Sequence, residues 1–152
     1  MPIILVPLVS PVAIVQKADP AAPIKKQYGV MAHGWQSRNV KTITSAWASD
    51  YTEIQNIKGK TKTVTRSDAT KLVQAMLKKF NKIEMSYAIQ SLQITDGGKK
   101  ATANVTVAGT VTVGTGKDAG TATMTAKFTH LWVSVGKEWQ LKQQTPFFPQ
   151  KK

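Results

Sequence analysis

Residues 101–113 alternate with period two. Ala101, Ala103, Val105, Val107, Gly109, Val111 and Val113 take the odd positions, while Thr102, Asn104, Thr106, Thr110 and Thr112 take the even ones, broken only by Ala108. Successive side chains of a strand point to opposite faces, so this pattern describes a long strand with one face buried. A turn at Lys117–Gly120 leads into a second long strand, 121–135. Gly136-Lys137 turns the chain again into a third strand, 139–144. Such an antiparallel meander needs a cover for its apolar face, and the amphipathic segments before residue 99 supply it. The expected fold class is therefore α+β.

At 152 residues the chain forms one domain with a core of its own. It has no cysteine, which excludes disulfides, thiolate metal sites and cysteine nucleophiles. With His33 and His130 as the sole histidines, a multi-histidine metal site is not expected, and no cofactor is implied. The net charge is +13, carried by lysines along the whole chain with Arg38 and Arg66 the two arginines. Base-reading and bidentate phosphate sites favour the arginine fork, so no specific nucleic-acid site is expected. The clusters Lys58/Lys60/Lys62, Lys78/Lys79/Lys82 and Lys99/Lys100 read first as a solvated basic surface, and second as a polyanion-binding module.

Residues 3–15 (IILVPLVSPVAIV) are apolar but too short for a transmembrane span, which needs about 20 residues. Their length fits the apolar part of a secretory signal, although a basic leader and a clear cleavage site are absent. Residues 1–21 are read as a signal remnant and linker, which places the protein outside the bacterial cytoplasm; an extended arm packed on the domain would leave it cytoplasmic. The domain proper is 22–152. Ile24, Tyr28, Met31 and Trp35 predict a helix over 22–38, whose glycines are positioned to admit a close neighbour. Val40, Ile43 and Trp47 predict a short second helix ending near Asp50, followed by a strand 51–57 and a lysine-rich loop around Gly59. A third helix starts at Ser67, with Ala69, Leu72, Val73, Met76, Leu77 and Phe80 as its buried stripe. A strand 83–95 then shows Ile83, Met85, Tyr87 and Ile89 on one face and Leu92 and Ile94 on the other, with a bulge near Ser91. Asp96–Lys99 forms a hairpin turn. In the 121–135 strand, Phe128, His130 and Trp132 share one face while Leu131, Val133 and Val135 take the other, as in a strongly curled sheet. Thr145–Pro149 is expected to leave the ladder and fold its phenylalanines back.

This order resembles the nuclear transport factor two-like (cystatin-like) fold, the cone shared by ketosteroid isomerase-like and SnoaL-like proteins. Trp47-Ala48-Ser49-Asp50-Tyr51 is similar to that family's junction between short helix and first strand. Phe128–Val133 with Gly136–Leu141 resembles the closing hairpin of its uncharacterised bacterial members. The resemblance implies a strongly curved antiparallel sheet on about three N-terminal helices, a pocket at the open end of the cone, and a homodimer. In isomerase-like members a strand carboxylate is the base, and a tyrosine and a protonated acid hold the oxyanion. Carried over, the base falls at Gln55 or Asn56, the acid at Thr129 and the tyrosine near Tyr28. Two of the three roles are missing.

The remaining candidates are few. Asp50 and Glu53 fall near the pocket mouth, and Asp50 is an acid–base candidate, although a local turn hydrogen bond accounts for it more simply. His130 is a second candidate, although between Phe128 and Trp132 it reads more simply as a hydrogen-bonded core residue. Tyr28, Tyr51, Tyr87, Thr129 and Trp132 are the expected pocket residues for an apolar ligand. The leading reading is a non-catalytic domain that binds a small apolar ligand or a protein partner. The alternatives are a SnoaL-like or isomerase-like enzyme and the lysine-rich polyanion-binding module.

Overall fold

A computed structural model describes residues 19–114 and 116–147. Helix α1 (Ala22–Gln36) forms where the four-three-four spacing predicts it, and Ile24, Tyr28, Met31 and Trp35 are all buried. Pro23 sits in its first turn, where a backbone N–H has no helical partner to lose. Helix α2 (Val40–Ser45) follows, its N-terminus capped by Asn39, whose side-chain oxygen accepts from the Thr42 amide at 3.2 Å. The two helices touch at Gly34. A Cβ there would stand 2.7 Å from Ile43 Cγ1 and 2.8 Å from the Ile43 amide nitrogen, so the contact exists because residue 34 has no side chain. Gly29 meets no such neighbour.

The second helix is shorter than expected. It stops at Ser45, and Trp47 opens strand β1 (Trp47–Ile57). The Leu141 amide donates to the Ala46 carbonyl at 2.7 Å and Trp47 pairs with Leu141, so sheet bonding captures the segment whose apolar spacing looked helical. The expected lysine-rich loop is a hairpin. Lys58 and Gly59 both have positive φ, +54° and +80°, the backbone a two-residue hairpin turn requires, and strand β2 (Lys60–Thr65) pairs back along β1. Val64 alone is buried in β2, so no alternation announced it. Helix α3 (Arg66–Lys79) is capped by Thr65 instead of Ser67, through the Asp68 amide at 3.2 Å. Ala69, Val73 and Leu77 are buried as expected, whereas Leu72 is 46% exposed.

The meander then runs through β3 (Lys82–Thr95), β4 (Lys100–Val113), β5 (Gly120–Val135) and β6 (Glu138–Pro146). The β3–β4 register slips between Ile89 and Ser91, where the phase change predicted a bulge. Its effect differs from the expectation. The extra residue returns Leu92 and Ile94, opposite Ala103 and Ala101, to the same face as Ile83 and Ile89, so the apolar side chains of β3 share one face. A second slip, between Leu131 and Trp132 against β6, brings both Leu141 and Gln144 inward. Strand β6 continues to Pro146, which pairs with Phe128, and the Phe147 amide still reaches the Lys127 carbonyl at 2.9 Å. Proline is tolerated there because β1 pairs β6 only as far as Gln144. Phe147 is exposed, and Phe148 and Pro149 lie outside the described residues, as do 1–18.

The six strands lie in the order β2-β1-β6-β5-β4-β3. The sheet is curved, unclosed and mixed: β1 and β6 run parallel, and the other pairings are antiparallel. The expected antiparallel sheet holds except at β1–β6, which run parallel because β1 comes from the helical half and reaches β6 by a crossover rather than a hairpin. The three helices pack on the sheet, and the core joins Ile24, Tyr28, Met31 and Trp35 to Ala101, Ala103, Val105, Trp132 and Leu141. No helix among the described residues is long and apolar enough to cross a membrane.

Candidate functional site

Helices α1 and α3 do not fill the hollow of the sheet. A cavity of about 480 Å³ remains between them and strands β1, β3, β4, β5 and β6. That is within the range of small-molecule sites. Met31 and Trp35 line it from α1, Ala69, Leu72, Val73 and Met76 from α3, Trp47 and Tyr51 from β1, Met85 and Tyr87 from β3, and Met124, Ala126 and Phe128 from β5. Leu72, Met124 and Lys79 are exposed and mark the mouth. Gly109 lies in the wall, where a Cβ would stand 2.8 Å from Met85 Sδ. The polar groups are few: Glu53, Gln55, Lys79, His130, Gln144 and the Tyr51 and Tyr87 phenols.

His130 is the centre of a buried relay. The Trp132 indole N–H donates to the Tyr28 hydroxyl at 3.0 Å. The Tyr28 hydroxyl lies 2.8 Å from His130 Nδ1, and His130 Nε2 lies 2.9 Å from Gln144 Oε1. One assignment satisfies every contact: Tyr28 accepts from Trp132 and donates to Nδ1, and Nε2–H donates to Gln144. The imidazole is then neutral with both nitrogens occupied. Burial lowers its pKa to about 4, and the Gln144 hydrogen bond opposes this less strongly. Burial also raises the Tyr28 phenol above its ordinary range.

A separate pair sits on β1. The Tyr51 hydroxyl donates to Glu53 Oε1 at 2.8 Å, and the Tyr51 ring stacks on Trp47 at 4.2 Å between centroids. Across the cavity the Trp35 indole N–H donates to the Tyr87 hydroxyl at 3.2 Å. Burial lifts the Tyr51 phenol well above its ordinary value and pushes Tyr87 up to about 12, with the nearby Glu53 charge adding to both. These hydroxyls therefore stay protonated at neutral pH.

The residues expected from sequence divide into three groups. Tyr51, Tyr87 and His130 line the cavity, as do Glu53 and Gln55. Tyr28 and Trp132 lie behind its wall in the core, joined to it through His130. Asp50 and Thr129 are elsewhere. Asp50 is exposed and pairs with Lys142 at 3.2 Å, because β1 alternation puts it opposite Tyr51. Thr129 takes the face opposite His130 and donates to Asn104 Oδ1 at 2.9 Å. Met31, Met76 and Met85 in the wall were on faces whose spacing marked them as buried, whereas Gln144 had no sequence signal; a bulge in β6 decides that it points inward.

No family model and no curated protein matches this sequence. Solved structures do match. A protein from Streptomyces avermitilis, provisionally named a dehydratase of the NTF2-like family, superposes with a TM-score of 0.67 at 10% identity, covering 86% of this chain and 98% of its own. A provisionally named aromatic ring hydroxylase from Novosphingobium aromaticivorans gives 0.64 at 14%, covering 88% and 93%. An NTF2-like protein of unknown function from Shewanella oneidensis gives 0.58 at 14%, covering 84% and 98%. At such identities the likeness speaks for the fold and leaves activity open. The chain has the NTF2-like fold.

Proposed function

We propose that this domain binds a small, largely apolar molecule inside the cone and performs no chemistry on it. The observation that carries this reading is the 480 Å³ cavity, whose wall is mostly aliphatic and aromatic and whose histidine is neutral with both ring nitrogens engaged. A general base needs a free lone pair within reach of a substrate proton, and His130 offers none. The test is titration with the neutral fluorescent probe N-phenyl-1-naphthylamine. Saturable enhancement is expected for the native protein and should be lost in Ala126→Trp, which fills the cavity. Enhancement that is absent, or that survives Ala126→Trp, overturns the proposal.

One observation favours a second reading, an isomerase-like or SnoaL-like enzyme. Glu53 carries a carboxylate into the cavity, two or three residues before Gln55 and Asn56, the positions to which the isomerase-like resemblance carries the base. Some structural neighbours bear names of enzymes, a dehydratase and a hydroxylase among them. Turnover of an apolar carbonyl compound that disappears in Glu53→Gln would move the assignment to it.

The wider proposal is a single domain over 22–152 that acts outside the cytoplasm, with the apolar run 3–15 as support for the location, and that forms a homodimer, as the family resemblance implies. The polyanion-binding alternative has less support. Lys99 and Lys100 lie at the opposite end of the sheet from Lys58, Lys60 and Lys62, so these two clusters do not merge into one patch.

A further inference from the structure

We propose that the cavity selects organic cations, molecules with an ammonium group on an apolar body, by seating the ammonium against the Glu53 carboxylate. This rests on the cavity's being a binding site and names the class of its ligand.

Of the eight acidic residues, Glu53 alone is half-buried; the other seven are exposed. Asp19, Asp50, Asp68 and Glu84 each pair with a lysine at the surface. Among the described residues Asp96, Asp118, Glu138 and Glu53 make no such pair, but the first three are exposed to water and Glu53 is half-buried at the cavity. Its Oε1 accepts from Tyr51, and no protein hydrogen bond among the described residues reaches its Oε2. A half-buried carboxylate with one oxygen unengaged, turned into an apolar cavity, is an incomplete pair that a ligand cation completes.

The surroundings favour the same charge. Trp47, Tyr51, Trp35 and Tyr87 bring aromatic rings to the walls near Glu53, and ring faces attract cations. Among the lining residues, Lys79 is the one other group that carries a charge. His130 is neutral in its relay, and Lys79 is exposed at the mouth with its ammonium 5.4 Å from the centre of the Phe80 ring. An anionic ligand would meet Lys79 on entry and the carboxylate inside; a neutral one would leave Oε2 without a charged partner.

Three ligands with one body separate the possibilities: 4-phenylbutylammonium, 4-phenylbutanol and 4-phenylbutanoate, titrated calorimetrically. The ammonium should bind at least about ten-fold more tightly than the alcohol, and the carboxylate most weakly. Glu53→Gln should abolish the preference while the alcohol still binds, which also shows that the variant's cavity is intact. Equal affinity for ammonium and alcohol, or a preference that persists in Glu53→Gln, overturns the cation proposal and leaves the apolar-site reading standing. A preference for the carboxylate overturns it in favour of Lys79. If none of the three binds and N-phenyl-1-naphthylamine also fails to bind, both readings fall.

Discussion

Replacing Tyr28 by phenylalanine removes one oxygen atom from the core and disturbs two elements far apart in sequence. The ring stays, so its edge contact with Trp132 (5.1 Å between centroids) and its tilted contact with Tyr87 (5.3 Å) are kept. The hydroxyl is shared. It accepts from the Trp132 indole and donates to His130 Nδ1, and both partners are completely buried. Its loss leaves one donor and one acceptor without a partner in the protein, each costing about 1–3 kcal/mol. Phenylalanine avoids the desolvation of the hydroxyl, which recovers part of the loss. The expected net destabilisation is about 2–4 kcal/mol, or a fall in Tm of about 5–15 °C for a domain of this size. Urea denaturation followed by tryptophan fluorescence measures the first, and calorimetry the second. The same variant should raise the His130 pKa, because the Tyr28 hydrogen bond is made to the neutral ring; NMR titration reads that shift. A loss under about 1 kcal/mol, with an unchanged histidine titration, would refute the relay, since two orphaned buried groups cannot cost so little.

Acid should destabilise the domain through His130. Its folded pKa, about 4, lies below the ordinary 6.5, so between those values the unfolded chain binds a proton that the folded chain refuses. Stability is fully present above pH 6.5 and should fall by about 3 kcal/mol as the pH drops to 4; His130→Gln should flatten that part of the profile, and an unchanged slope would refute the assignment. Gly34→Ala should cost about 1–2 kcal/mol in denaturant titrations, because the clash with Ile43 outweighs the roughly 1 kcal/mol of helix propensity gained; a stabilised variant would show that α2 moves aside freely. Arg38→Gly tests a clamp. Arg38 closes α1 in a left-handed conformation at φ +59°, a position that favours glycine, with its amide donating to the Trp35 carbonyl and the Asn39 amide to that of Gly34. Its guanidinium holds the carbonyls of Leu77, Phe80 and Asn81 at the end of α3. The relief of backbone strain, about 1 kcal/mol, should be exceeded by the lost hydrogen bonds, for a net loss of about 1–2 kcal/mol; a more stable glycine variant would mean that the clamp contributes nothing.

Much of this architecture was legible because it rests on short-range periodicity. The alternation over 101–113 specified β4 and its buried face, the spacing of Ile24, Tyr28, Met31 and Trp35 specified α1, and the broken phase near Ser91 located a bulge. These signals survive in sequence because one face of each element meets core and the other meets water, which sorts side chains along the chain itself. The exclusions were also sequence properties, since a chain without cysteine cannot place a thiolate anywhere. Tertiary structure decided the rest. Trp47 continued a helical spacing, yet pairing with Leu141 drew it into a strand, because long-range hydrogen bonds outweigh the weak preference of a six-residue helix. Strand β2 had one buried residue and so no pattern to read. Asp50 and Glu53 were both expected near the pocket mouth, with Asp50 the acid–base candidate. The direction of β1 alternation put Asp50 beside Lys142 in solvent and Glu53 in the cavity, and no local sequence rule sets that direction where a register slip intervenes. The cavity itself is a volume left between elements spread along the chain from α1 to β6, and it is fixed only when the curvature of the sheet and the packing of α3 are fixed with it.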